Sequence, residues 1–188
     1  MNTPNKLTII RMIITPIFLV VFLATGIPHN FLLGLIIFAI GAITDFADGK
    51  LARKYNQVTV FGKLTDPIAD KMLTTAALLA FMQFGLCNIW IVMIVLTREF
   101  AITSVRMVAS AQGVVIPANI WGKLKTASQM VFTILIMLLG ELKNTGVLGA
   151  GFDLPLLSNV LLWIMAVLTV LSGAVYLHQS KGMIDFSK

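Results

Sequence analysis

The chain has 188 residues, 58% hydrophobic and 12% charged, with a net charge of +6 and a mean hydropathy of +0.94. An ordinary soluble domain carries about 25% charged and about 45–50% apolar residues, and a single core of this size cannot hide so much apolar surface from water. A soluble enzyme, a disordered chain and a nucleic-acid module are thereby excluded as first readings, and a membrane protein remains.

A helix that crosses a bilayer needs about 20 mostly apolar residues. In chain order the candidates are 7–25, 31–53, 63–84, 88–111, 119–140 and 157–178. Turn chemistry separates them at Gly26-Ile27-Pro28, Gly85, Gly113 to Pro117 and the glycine-rich stretch 144–155. The first stretch holds Arg11 and no small-residue cleavage site, which reads as a retained span and not a secretory signal. Pro67 marks either the start of the third helix, with Asp66 near its N-cap, or a kink within it. Cys87 is the only cysteine and reads as a small core residue. His29, in an outer turn, and His178, at a helix end, have no ligand partners in the sequence. The ten Met residues read as packing. Ser172-Gly173-Ala174 predicts close helix contact in the sixth stretch.

Lys and Arg set the orientation. With the N-terminus inside, all 14 basic residues except Lys143 fall on the inner side. Trp90 and Trp163 then lie near the outer interface and Trp121 near the inner one, as in an aromatic belt. The expected fold is an all-α integral membrane bundle of six transmembrane helices with both termini cytoplasmic. Residues 1–188 form a single domain.

Four of the eight acidic residues interrupt the apolar pattern: Asp45, Asp48, Asp66 and Asp70. From the helix rise, Asp45 and Asp48 lie about 21 and 25 Å from the outer face on the second helix, and Asp70 and Asp66 about 21 and 27 Å on the third. Asp45 and Asp48 are i,i+3, and Asp66 and Asp70 are i,i+4, so each pair shares a helix face. Like charges about 5 Å apart repel by about 3 kcal/mol at an effective dielectric near 20, and four carboxylates without counterions would protonate. Two divalent cations cancel the charge, and all-oxygen ligation suits Mg²⁺ or Mn²⁺. The bland alternative is that nearby Lys and Arg satisfy the acids.

These residues lie in Asp45-Phe-Ala-Asp48-Gly49-Lys-Leu-Ala52-Arg53, followed after eight residues by Gly62 and then by Asp66 and Asp70. The pattern Asp-x-x-Asp-Gly-x-x-Ala-Arg-x8-Gly-x3-Asp-x3-Asp resembles the signature of the CDP-alcohol phosphotransferase family, integral membrane enzymes of phospholipid synthesis. The resemblance implies a six-helix fold, a homodimer and two metals per active site on the cytoplasmic side of a bacterial cell membrane. It implies displacement of CMP from CDP-diacylglycerol by an alcohol, with Asp45, Asp48 and Asp66 as metal ligands. Asp70 is implied as the general base and a further metal ligand. Asn5, Thr8, Gly49, Arg53 and Thr59 match positions that bind CDP-diacylglycerol. Gly49 allows close approach of the nucleotide, and Arg53 offers a bidentate donor to pyrophosphate. Helix capping and loop solvation are the alternatives for Asn5, Thr8 and Thr59, and close helix packing is the alternative for Gly62.

Within the family, Asn5-Lys-Leu7-Thr8-Ile-Ile-Arg11, Thr97-Arg98-Glu99-Phe100 with Arg106, and Gly122-Lys123-Leu-Lys125-Thr126 with Gln129 are similar to the branch whose acceptor is sn-glycerol 3-phosphate. Arg98, Arg106, Lys123 and Lys125 are accordingly the candidate acceptor-phosphate residues. The alternatives are an internal Glu99–Arg106 ion pair, since i,i+7 residues share a face, and binding of lipid headgroups by Lys123 and Lys125. Other acceptors, namely inositol phosphate, serine or phosphatidylglycerol, use the same core motif. A divalent-cation transporter would also carry intramembrane acids, but these lie at one depth with no acidic trail outward.

Overall fold

Each break marked by turn chemistry ends a helix. The computed structural model describes the backbone of residues 3–55, 60–114, 116, 119–149 and 151–181, and the side chains of 8–44, 68–69, 71–114, 116, 119–149 and 151–181. Six helices result: α1 (Thr3–Leu23), α2 (Asn30–Tyr55), α3 (Val60–Gln83), α4 (Ile89–Ala111), α5 (Ile120–Asn144) and α6 (Leu154–Ser180). No strand occurs among the described residues.

The ends have local causes. Asn88, Asn119 and Asp153 cap α4, α5 and α6, each side chain accepting a backbone N–H from the first turn. Gly85 and Gly113 take φ values of +71° and +72° just beyond α3 and α4. That left-handed step lets Leu86 N–H reach the Phe81 carbonyl at 2.8 Å and Val114 N–H reach that of Ala109 at 2.9 Å. The helix starts decide between alternatives that the sequence left open. α3 begins at Val60, so Pro67 lies inside it and Asp66 is not an N-cap. Asn5 and Thr8 lie within α1, which starts at Thr3, and so do not cap it.

α1 packs against α2 and α3, α5 against α6 and α2, and α4 mainly against α6. Close approach occurs at small residues. A Cβ on Gly140 of α5 would lie 2.2 Å from the Phe31 ring of α2, and one on Gly34 of α2 would lie 2.3 Å from Phe22 of α1. Phe22 centres an aromatic cluster, with ring centroids 5.4 Å from Phe18, 4.8 Å from Phe31 and 5.4 Å from Phe84. Met137 and Met165 are fully buried, as the packing reading requires.

The surface is apolar and the interior holds charge. Val20, Ile43, Trp90, Val131 and Val167 are each more than half exposed, whereas Arg11, Lys125, Gln129 and Glu141 are buried. Lipid tails solvate such a surface and water does not. Among the described residues, α5 and α6 are long and apolar enough to cross a membrane, and α1 and α2 hold shorter apolar stretches, Thr8–Leu23 and Asn30–Thr44.

Candidate active site

The four aspartates sit on two helices that share a neighbour. Asp45 and Asp48 are in the last three turns of α2, and Asp66 and Asp70 in the first half of α3. Their side chains lie outside the described residues, as do those of Asn5, Gly49, Arg53 and Gly62, while Thr59 lies outside them altogether. The backbone register is nonetheless set by a contact. A Cβ on Gly41 of α2 would lie 2.6 Å from Leu73 Cδ2 of α3. α2 ends at Tyr55 and α3 begins at Val60, a short connection of the kind that joins antiparallel neighbours. Measured along the helices from that contact, Asp45 lies about 6 Å and Asp70 about 4.5 Å further in, and Asp48 and Asp66 both about 10.5 Å. The pairs 45/70 and 48/66 therefore lie at matched levels.

No group of three or more His, Cys, Asp or Glu that could hold a metal occurs among the described residues, which do not include the aspartate side chains. The aspartates themselves form an all-oxygen donor set at helical spacing, and that chemistry suits a hard divalent cation. Thr8, at 1% exposure, and Arg11, at 2%, lie on the α1 face that also buries Thr15, Phe18 and Phe22. Arg11 is thus an interior cation on the helix that packs against both aspartate-bearing helices.

A polar cluster gathers on Glu99. Glu99 of α4 receives the ammonium of Lys125 from α5, Arg98 Nη1 at 3.2 Å and Lys71 Nζ at 3.9 Å. Lys71, the residue after Asp70, also donates to Thr103 Oγ1. Lys125 Nζ donates to Gln129 Oε1 at 2.7 Å, one turn along α5. Three cations from three helices thus converge on one largely buried carboxylate, which keeps ionised groups tolerable within an apolar bundle.

Of the four candidate acceptor-phosphate residues, Arg98 and Lys125 meet at Glu99. Arg106 lies two turns along α4, where its Nε donates to Tyr176 Oη at 3.3 Å. Lys123 is exposed at the start of α5, while Lys125 is 3% exposed. Residues two apart on a helix are about 200° apart, so these two lysines cannot share a face. Burial of Lys125 removes the headgroup alternative for it. The Glu99–Arg106 pair does not form either, because Glu99 turns to Lys125, Arg98 and Lys71 instead.

Lys71, Ser172 and Tyr176 are residues that spacing alone did not single out for the site. Lys71 carried a signal, since an intramembrane lysine needs an interior partner. Ser172 carried one as part of the small-residue run Ser172-Gly173-Ala174, which meets Arg98 of α4; Tyr176 carried none.

At the opposite end, Glu141 is buried and accepts from Leu32 N–H at 3.0 Å, with His29 Nδ1 2.5 Å away. His29 thus has a partner 112 residues away that spacing could not reveal. Cys87 is 5% exposed, and burial pushes its thiol up to about 12, which keeps it protonated and unreactive, as a core residue should be.

Comparison with known proteins adds sequence relatives to this geometry. The family described as CDP-alcohol phosphatidyltransferase matches residues 1–171. A CDP-diacylglycerol–glycerol-3-phosphate 3-phosphatidyltransferase of Bacillus subtilis is 39% identical over 190 residues, covering 95% of each chain. A protein of the same name from Rickettsia typhi is 36% identical over 181 residues, covering 96% of this chain and 97% of its own. A probable phosphatidylglycerophosphate synthase of Mycobacterium tuberculosis is 41% identical over 132 residues, covering 69% of this chain and 63% of its own.

Proposed function

Because the chain belongs to the CDP-alcohol phosphatidyltransferase family, we infer that it transfers the phosphatidyl group of CDP-diacylglycerol to sn-glycerol 3-phosphate, yielding phosphatidylglycerol phosphate and CMP. The observation that carries this reading is the Glu99-centred cluster, joined to the Asp70 turn through Lys71. An acceptor with a phosphate needs fixed cations near the base that activates its hydroxyl, and cations gathered on Glu99, one of them Lys71 next to Asp70 in the chain, support that reading. Near full-length similarity to enzymes named for this reaction supports it, and family membership displaces the transporter alternative.

In this reading Asp45, Asp48, Asp66 and Asp70 hold two divalent cations, Mg²⁺ or Mn²⁺. Bound metal ions lower the energy of the attacking and leaving oxygens in phosphoryl transfer. Asp70 takes the proton of the acceptor hydroxyl, whose oxygen then bonds to the phosphorus bearing diacylglycerol while the bond to CMP breaks. Asn5, Thr8, Gly49, Arg53 and Thr59 bind the CDP moiety. Arg98, Arg106 and Lys125 receive the acceptor phosphate, and Lys123 acts from the exposed start of α5. All six helices span the membrane, both termini face the cytoplasm, and residues 1–188 act as one domain within a homodimer in a bacterial cell membrane. The apolar exterior and the one-sided distribution of basic residues support that topology.

The test is CMP release by purified protein given CDP-diacylglycerol, Mg²⁺ or Mn²⁺, and a choice of acceptors. Glycerol 3-phosphate should be preferred over serine, inositol phosphate and phosphatidylglycerol, and chelation should abolish release. Asp70→Asn should lower kcat by about 10²- to 10⁴-fold. Turnover that survives exhaustive chelation, or preference for serine, would overturn the assignment.

A further inference from the structure

One face of α6 seats both arginines of α4. Arg98 Nη2 donates to Ser172 Oγ at 2.9 Å. That hydroxyl sends its own proton to the Thr169 carbonyl at 3.2 Å, so its lone pairs are what the guanidinium meets. Gly173 leaves room for the arginine stem, since a Cβ there would lie 3.1 Å from Arg98 Cγ. Nearly a turn further, Tyr176 accepts from Arg106 Nε at 3.3 Å and presents its ring 5.4 Å from the guanidinium carbon. Ser172 and Tyr176 are both buried.

Arg98 is thereby held at two nitrogens, Nη1 by Glu99 at 3.2 Å and Nη2 by Ser172. Its third nitrogen, Nε, is buried with no hydrogen-bond partner among the described residues. A buried donor left unmade is costly unless a ligand satisfies it. The fork of a guanidinium is rigid, so fixing two nitrogens fixes the direction of the third.

We propose that Ser172, Gly173 and Tyr176 are positioning residues for acceptor choice: they aim Arg98 and Arg106 at the phosphate of the acceptor and so favour a phosphorylated alcohol over an unphosphorylated one. The proposal rests on the acceptor-phosphate role of those arginines. It gives the last helix a part in specificity.

The test measures KM for glycerol 3-phosphate and for CDP-diacylglycerol in full-length variants, with glycerol as the unphosphorylated probe. Ser172→Ala should raise the glycerol 3-phosphate KM about tenfold, the effect of losing one hydrogen bond to a charged group, and leave the CDP-diacylglycerol KM unchanged. Ser172→Thr, which keeps the hydroxyl, should restore the first value. Tyr176→Leu should behave like Ser172→Ala, and the preference for glycerol 3-phosphate over glycerol should fall in both. Gly173→Ala displaces the arginine stem without removing a hydrogen bond, and it gives the same split should Ser172→Ala fail to fold. If Arg98→Gln raises the glycerol 3-phosphate KM while the α6 variants do not, the positioning role is wrong and the acceptor site stands. Equal rises in both KM values in the α6 variants also defeat positioning. If Arg98→Gln itself leaves that KM unchanged, the acceptor-site reading fails first.

Discussion

The side chain of Lys125 is 4% exposed, and an ammonium so enclosed keeps its charge only in the company of an anion. Glu99 supplies that anion and at the same time meets Arg98 and Lys71. Glu99→Gln should therefore destabilise the protein by about 3 kcal/mol, the usual effect of removing one partner from a buried pair, and lower the thermal midpoint in detergent. Glu99→Asp, which keeps the charge, should lose much less. At this scale the aspartate motif was readable from spacing, because intramembrane acids in i,i+3 and i,i+4 pairs have few bland explanations. The partner of Glu99 was not. Spacing within α4 pointed to Arg106, whereas the partners come from α3 and α5 as well as from the adjacent Arg98.

Helix packing turns on positions where a side chain is missing. Gly140 of α5 lies against the Phe31 ring, which is itself held by Phe22 and Phe84. A rigid ring in a packed cluster cannot swing away as a flexible terminus could. Gly140→Ala should thus cost about 2 kcal/mol through overpacking, read as a lower unfolding midpoint, with turnover retained below that temperature because the aspartates lie well along α2 and α3 from the Phe31 contact. Helix extents were readable within a few residues from apolar length and turn residues. The split between exposed Lys123 and buried Lys125 was not read from the sequence: the 100° step of an α-helix separates the two, but only the folded bundle shows which face of α5 points inward. That face was set by Gln129, Thr133 and Gly140 packing inward.

For the whole molecule, the distribution of Lys and Arg predicts which ends face the cytoplasm. In a Cys87→Ser background, Lys143→Cys should react with a membrane-impermeant maleimide applied to intact cells. His178→Cys should react only after permeabilisation. Both residues are exposed, so burial will not mask the result. The reverse pattern would invert the topology and move the aspartates to the wrong side for a cytoplasmic nucleotide.

Composition, apolar run length and the aspartate spacing were enough to read an all-helical chain with an apolar exterior, and its family. These are local or averaged properties, and a linear chain displays them directly. Which cations gather on Glu99, why His29 meets Glu141, and how α6 seats Arg98 and Arg106 emerged only from the folded bundle. Helical periodicity says which residues share a face. It does not say which faces meet, because that depends on the fit of side chains between helices far apart in the chain.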